Sequence, residues 1–429
     1  MDWEWKGKKL HFVGCGGVSM CALLRLSVFH GALCTGTDAV ESEHFVCLAQ
    51  EGYSVRLGVH PELAEEADLV VYTSAVQTDH PERQAAKREM ERSVLLASLA
   101  TLYPEVVAVA GTHGKTTVCG MLASILQRAG RSFSTNIGGS LSLGYPLGRD
   151  ILLTEACEYN RHFLTLSPTL GVITGMEFDH PDCYRDLADV ERAFCQFAAG
   201  CKRLICPVNC LAVQMCNRTF ADICIRNLDL DDRSFEYADR DGCMRLRLGV
   251  WGKYNMHNAA YAVRAARLLG IGEKAIKEGL LSYRGAKRRC ERIGTIAGVP
   301  LFVDYAHHPT EICAVLEEID RRYSCVWAIF QPHTYSRTEA LFGAFATCFE
   351  RAHRVSLFST YGAREVGTDR LLPALACCIG KEKCEVLLQI DKLAEEMKNT
   401  PHKKYGAVVL LGAGDLPVKI QNLLKGNSR

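Results

Sequence analysis

The run Val106-Val107-Ala108-Val109-Ala110-Gly111-Thr112-His113-Gly114-Lys115-Thr116-Thr117 leaves this chain few ways to fold. Small and β-branched apolar residues from Val106 to Ala110 have the pattern of a buried strand, and a loop bracketed by Gly111 and Gly114 follows directly. Thr116 to Arg128 then has helical spacing, and Gly130 is a stop signal. Strand, glycine loop, Lys-Thr and helix together make a phosphate-binding loop. Backbone N–H groups and the helix N-terminus face the phosphates, Lys115 adds a point charge, and a hydroxyl can hold magnesium. A strict G-x-x-x-x-G-K-[ST] spacing would need glycine at position 109, where Val109 stands, so a plain strand–turn–helix is the competing reading.

A loop of this kind belongs in an α/β protein, and the rest of the chain is long enough to hold several. Its 429 residues predict about three domains, and 48% apolar with 23% charged residues suits large cores rather than disorder. A formal charge of +1 argues against nucleic acid as a partner. The 21 cysteines include no C-x-x-C pair, and Cys206-Pro-Val-Asn-Cys210 lacks a second half that would complete a zinc site. They are expected to be reduced thiols of a cytoplasmic protein. The stretch from Met1 to Lys9 is polar and charged, so no signal peptide is expected, and no apolar run approaches the roughly 18 residues of a membrane span.

Along the chain, Leu10 to Val13 reads as a strand, and Gly14-Cys15-Gly16-Gly17 as a turn opening a helix that ends near His30. A further strand leads to Asp38, and another from Ala67 to Tyr72 delivers Thr73 and Ser74. Ligands of such sheets sit beyond the carboxyl ends of the strands, so these residues should share one crevice. Arg83 to Ser93 is charged and reads as a helix, and the first domain closes near residue 103. In the second domain, 104–293, strand Ile151–Thr154 delivers Glu155 and strand Thr169–Thr174 delivers Glu177, Asp179 and His180 to the edge that carries the phosphate loop. An acid there can hold Mg²⁺ against phosphate, although a solvated cap is the plainer reading of one glutamate. Residues 201–250 read as short strands and polar turns. A helix from Tyr254 to Leu269 follows, with Tyr254, Asn255 and Asn258 in its first turn.

The third domain, 294–429, alternates strands at 301–303, 326–330, 354–358, 385–389 and 408–411 with helices at 309–321, 338–351, 391–397 and 416–424. Its strand tips carry Asp304-Tyr305-Ala306-His307-His308, Gln331-Pro332-His333-Thr334 with Arg337, and Gly412-Ala413-Gly414-Asp415. Convergent polar tips of this kind look like a site wall. The expected architecture is α/β in three domains, each on a mostly parallel sheet: a Rossmann-like N-terminal domain, a P-loop-type central domain and a Rossmann-like C-terminal domain.

Four blocks in this order resemble the Mur ligases of peptidoglycan synthesis: Gly14 to Gly17, Gly111 to Thr117, Glu155 to Phe163 with Glu177 to Tyr184, and Asp304 to Glu311 with Phe330-Gln331-Pro332-His333. The Asp-Tyr-x-His-His-Pro block is the most specific, and Thr310-Glu311 leans towards the alanine-adding branch. The resemblance implies an ATP-dependent amide ligase joining L-alanine to the lactyl carboxylate of UDP-N-acetylmuramate through an acyl phosphate. It assigns Lys115 to the ATP phosphates, Thr116 and Glu155 to one Mg²⁺, and His180 to a second metal. It gives Tyr254, Asn255 and Asn258 to adenine, Asp304 to the ribose and Arg289 to the phosphates. Tyr305, His307 and Arg337 would face the amino acid and acyl group, while Gly14, Gly16, Gly17, Asp38, Thr73 and Ser74 would bind the uridine nucleotide. A monomer or homodimer is expected.

Departures from the family pattern are Tyr254 for histidine, Cys157 for the acid of Glu-Ala-Asp-Glu, Gly175 for asparagine, Thr334 for arginine and Cys290 for phenylalanine. They keep open a weakly active paralogue that binds nucleotide or UDP-sugar. A recycling ligase that adds a peptide is a further alternative. A nicotinamide-dependent oxidoreductase would rest on the first glycine turn alone and leave Lys115 and His307 unexplained.

Overall fold

Short apolar strands alternating with helices give parallel sheets, because a strand buried on both faces needs a helix layer on each. The computed structural model describes residues 4–139, 144–216, 218–296, 298–363, 365–399 and 404–426. The chain divides into two units, one of Met1–Glu177, Leu187–Val250 and Met256–Ala286, the other of Phe178–Asp186, Trp251–Asn255 and Lys287–Arg429.

The first unit holds two parallel sheets. One has the order Ser54–Leu57, Leu33–Asp38, Lys9–Val13, Leu69–Tyr72, Glu89–Glu91. Its strands Lys9–Val13, Leu33–Asp38 and Leu69–Tyr72 end on one edge, which carries the Gly14 turn, Asp38 and Thr73. The second has the order Thr219–Phe220, Leu204–Ile205, Leu170–Ile173, Glu105–Ala110, Ile151–Glu155, Phe133–Asn136. The central strand is buried from Val106 onward, and the helix Lys115–Arg128 that follows it buries every residue from Thr117 to Leu126. Helix Lys253–Leu268 packs Ala259, Ala260, Ala262, Val263, Ala265 and Ala266 into the same core.

Residues 201–250 prove to include an antiparallel sheet of Cys224–Asp229, Ser234–Asp239 and Gly242–Arg247. Phe235, Tyr237 and Leu246 join the central core from it. Arg264 is fully buried against this sheet, 2.9 Å from Asp239 and 2.5 Å from Asp241, as a buried cation must be paired.

The second unit has one sheet, ordered Glu291–Ile296, Val299–Asp304, Ala407–Leu411, Val326–Phe330, Arg354–Leu357, Cys384–Val386. Its first pair is antiparallel and the remainder parallel. Alternate residues serve opposite cores: Phe302, Ala328, Phe330 and Val409 on one face, Leu301, Val303, Trp327, Ile329 and Val408 on the other. Gly294 lies inside the antiparallel strand, which the sequence reading had not separated.

Three predicted elements come out differently. Arg83–Ser93 is not one helix: Pro81–Gln84 forms a single turn, and Glu89–Glu91 instead pairs with Leu69–Tyr72 as the sheet edge. Ladder pairing there outweighs helical propensity, and Glu91 then caps the helix Arg92–Ala100 by accepting the Ser93 N–H. The helix expected at 338–351 starts earlier, at Tyr335, and breaks at Leu341 into Tyr335–Ala340 and Phe342–Thr347. The strand expected at 385–389 stops at Val386, because the last ladder bond runs from the Leu387 N–H to the Leu357 carbonyl. Among the described residues no helix is long and apolar enough to cross a membrane.

Candidate functional site

Gly111 and Gly114 shape the phosphate loop through left-handed backbones, at φ 135° and 83°. Both are also crowded: a Cβ on Gly111 would lie 2.0 Å from Thr174 Oγ1, and one on Gly114 2.4 Å from Asn258 Oδ1. Side chains at either position would strain the backbone and collide. Thr174 secures the loop by donating to the His113 carbonyl at 2.5 Å, and the Gly175 carbonyl accepts the Thr112 N–H at 3.1 Å. Lys115 opens the helix and donates to the carbonyls of Gly111 at 2.5 Å and Thr112 at 3.3 Å and to Glu158 at 3.0 Å. Burial works against the Lys115 charge, but Glu158 beside it outweighs burial and holds its pKa above the ordinary value. Lys115 is thus a fixed cation whose three donors are engaged, so a phosphate reaching it must take over part of that coordination.

Glu155 and Thr116 each pack on one of two adjacent glycines, Gly138 and Gly139, that the sequence reading does not single out. Glu155 accepts the Gly138 N–H at 2.8 Å, and a Cβ on Gly138 would lie 2.9 Å from Glu155 Oε2. A Cβ on Gly139 would lie 2.7 Å from Thr116 Cγ2. Thr116 and Glu155 thus flank one Gly-Gly pair, and a hydroxyl and a carboxylate are oxygen donors of the kind that Mg²⁺ takes alongside water and phosphate. His180 belongs to the other unit. Cys157, half-buried, follows Glu155 and Ala156, and burial raises its thiol pKa, so it stays a neutral thiol. Gly175 opens onto free space, with nothing within 4 Å of an added Cβ.

At the first sheet the glycine turn closes on Asp38. Gly14 has φ 80°, and the Gly16 N–H donates to Asp38 Oδ2 at 2.9 Å. Ser42 donates to the Gly16 carbonyl at 2.9 Å, and a Cβ on Gly14 would touch Thr73 Cγ2 at 3.6 Å. Gly14, Gly16, Asp38 and Thr73 therefore meet, with Gly17 capping the helix Val18–Phe29 and Ser74 next in chain. Asp38 is engaged with the turn itself, so a ribose would have to share that carboxylate.

In the second unit the tip of strand Val299–Asp304 is built on strained backbone. Arg288 and Cys290 have φ 59° and 45°, and the Cys290 N–H donates to Asp304 Oδ2 at 2.6 Å. The Ala306 N–H donates to Asp304 Oδ1 at 2.7 Å. Burial pushes the Asp304 carboxyl up to about 6, with Arg289 and these N–H groups pulling it back. Arg289 meets Glu311 at 3.3 Å, and the guanidinium groups of Arg288 and Arg289 stand 5.0 and 5.4 Å from the centre of the Tyr305 ring. His307 lies between Glu311, at 3.6 Å, and the rings of Tyr305 and His333, at 5.4 and 5.5 Å. Burial lowers its pKa to about 4, opposed by Glu311 and helped by Arg337, which leaves a neutral imidazole at physiological pH.

Arg337 is 2% exposed rather than open to solvent. Its Nε donates to Asp179 at 2.6 Å, and its Nη1 donates to the His333 carbonyl at 3.0 Å and faces His333 Nδ1 at 2.9 Å. Asp179 thereby brings His180 into this cluster, and His180 itself has φ 54°. The sequence places His180, Tyr254 and Asn255 within the central domain, 104–293. In the structure Phe178–Asp186 and Trp251–Asn255 pack with the C-terminal unit, where Phe178 meets His308 at 3.3 Å and Arg322 stacks on Trp251 at 4.5 Å. Asn255 donates to the Trp251 carbonyl at 2.5 Å, and the Tyr254 ring folds against Gly252. Asn258, one turn on, stays with the phosphate loop.

Fold and site define an α/β nucleotide-using protein: a phosphate-loop sheet, a Rossmann-like sheet before it and a second one after it, each with polar residues at its strand ends. Three family models match in that order, "Mur ligase family, catalytic domain" over residues 9–101, "Mur ligase middle domain" over 109–266 and "Mur ligase, glutamate ligase domain" over 288–414. The UDP-N-acetylmuramate–L-alanine ligase of Clostridium beijerinckii is 32% identical, over 98% of each chain, and that of Clostridium perfringens 33% identical, over 97% of each. Among solved structures, the UDP-N-acetylmuramate–alanine ligase of Thermotoga maritima shares the fold with a TM-score of 0.81 at 24% identity, covering 98% of this chain and 99% of its own. A murein peptide ligase from Psychrobacter arcticus has a TM-score of 0.74 at 23% identity, over 98% of each chain. The chain belongs to the Mur ligase family.

Proposed function

We propose that this chain is an ATP-dependent ligase that joins L-alanine to the lactyl carboxylate of UDP-N-acetylmuramate, a cytoplasmic step in making peptidoglycan precursor. The observation that carries the chemistry is the phosphate loop, with Lys115 held beside the Thr116–Glu155 pair. The names of full-length relatives support the choice of substrates. In this reading residues 1–103 bind the UDP-sugar through Gly14, Gly16, Gly17, Asp38, Thr73 and Ser74. Residues 104–293 bind ATP, and 294–429 bind the amino acid, in a monomer or homodimer.

Gly111 to Thr117 cradle the ATP phosphates, with Lys115 moving from Glu158 towards the transferred group. Thr116 and Glu155 would hold one Mg²⁺ and His180 would serve a second metal, and these ions would neutralise phosphate charge. Tyr254, Asn255 and Asn258 contact adenine, Asp304 the ribose, and Arg289 the phosphates. The γ-phosphoryl group passes to the lactyl carboxylate and ADP leaves. The amine of L-alanine then attacks the acyl-phosphate carbonyl, the amide C–N bond forms, and phosphate departs from the tetrahedral intermediate. Tyr305, His307 and Arg337 line the amino-acid side, and neutral His307 can accept the amine proton. Most of the rate comes from positioning and charge neutralisation, as in other phosphoryl transfers.

The test is phosphate release from ATP and Mg²⁺. Release should require both UDP-N-acetylmuramate and L-alanine, and Lys115→Ala should lower it by about 10³-fold or more. Release that is indifferent to the UDP-sugar, or a fully active Lys115→Ala protein, would overturn the reading.

A further inference from the structure

We propose that Asp179 is a positioning residue: its one carboxylate sets the backbone of His180 and the guanidinium of Arg337 in a single geometry and, through Arg337, the ring of His333. The proposal rests on the assignment of His180 and Arg337 to the reaction in the function proposed above.

Asp179 is 5% exposed, and its Oδ1 accepts two hydrogen bonds, from the His180 N–H at 2.7 Å and from Arg337 Nε at 2.6 Å. Its Oδ2 lies 3.6 Å from His180 Nε2. His180 has φ 54°, a left-handed conformation that disfavours a non-glycine residue and needs outside support. Asp179 supplies that support on the N–H side. On the carbonyl side the N–H groups of Cys183 and Tyr184 donate to His180 at 2.8 and 2.9 Å. The other end of Arg337 grips His333, whose ring stacks on Tyr361 at 5.8 Å and approaches His307 at 5.5 Å. A structural ion pair would need charge compensation alone. Here one oxygen is shared between a strained histidine and the arginine that orients a second histidine. The shared acceptor couples the two strand tips.

Asp179→Ala removes the partner of a buried arginine and is expected to misfold, so Asp179→Asn and Arg337→Lys are the informative variants. Asparagine keeps an oxygen for both hydrogen bonds but removes the charge that locks Arg337. In Asp179→Asn the account expects kcat to fall about 10- to 100-fold while ADP binding, measured by calorimetry, stays within about threefold. The double variant should be no slower than the slower single one, because both changes cut the same link. A readout independent of turnover is the side-chain ¹⁵N–¹H spectrum of the histidines, assigned with His180→Gln and His333→Gln. Both signals should move in Asp179→Asn. Wild-type kcat with a lowered melting temperature, multiplicative effects in the double variant, or a spectral change confined to His180 would each overturn the proposal. Loss of L-alanine-dependent turnover in the wild type would overturn the proposed function instead, and the spectra would still decide the coupling.

Discussion

At the scale of single residues, the ionisable groups of the C-terminal strand tips have been pushed in opposite directions by one cause. Burial disfavours charge, so it raises the Asp304 carboxyl to about 6 and lowers His307 to about 4. The signs matter for stability. His307 has a folded pKa below its unfolded value, so the folded state binds fewer protons between pH 4 and 6.5 and loses stability as pH falls through that window. Asp304 has a raised folded pKa, so its contribution runs the other way and weakens as pH rises towards 6. For function, the outcome is a neutral His307 imidazole near neutral pH. A histidine NMR titration should place its midpoint at about 4, with no charge change between pH 6 and 8. A midpoint near 6.5 would refute the buried assignment of His307.

At the scale of elements, the phosphate loop was legible because its parts are contiguous. A strand, two glycines, Lys115 and a helix are written in order, and the structure keeps that order. The groups that complete it were not legible, because they come from segments far apart in sequence. Glu158 reaches Lys115, Thr174 secures His113, and Asp179 reaches Arg337 across more than 150 residues. Nothing local marks an aspartate at a strand tip as the partner of a distant arginine. The failed helix at Arg83–Ser93 has a similar origin, since only the neighbouring strand Leu69–Tyr72 decides that Glu89–Glu91 becomes a sheet edge. Gly138 and Gly139 were equally silent, yet they pack on Glu155 and Thr116. Gly139→Ala would press a methyl group onto Thr116 Cγ2 at 2.7 Å and displace that side chain. Its expected effect is a several-fold rise in the Mg²⁺ concentration for half-maximal activity, with the melting temperature changed by only a few degrees. Unchanged Mg²⁺ dependence would remove the Gly-Gly turn from the metal site.

At the scale of the whole molecule, the sequence order of sheets is the order of tasks proposed for them: UDP-sugar, then ATP, then amino acid. The α/β class and the three mostly parallel sheets could be read from alternating strands and helices, and each of these sheets delivers polar residues at the carboxyl ends of its parallel strands. Membership of the Mur ligase family rests on three family models that together span residues 9–414. The most direct test gives the enzyme ATP, Mg²⁺ and UDP-N-acetylmuramate with equal concentrations of L-alanine and the tripeptide L-alanyl-γ-D-glutamyl-meso-diaminopimelate, and weighs the product by mass spectrometry. The account predicts the L-alanine adduct as the dominant species, formed with stoichiometric ADP. A dominant tripeptide adduct, or ATP turnover with no adduct, would contradict it.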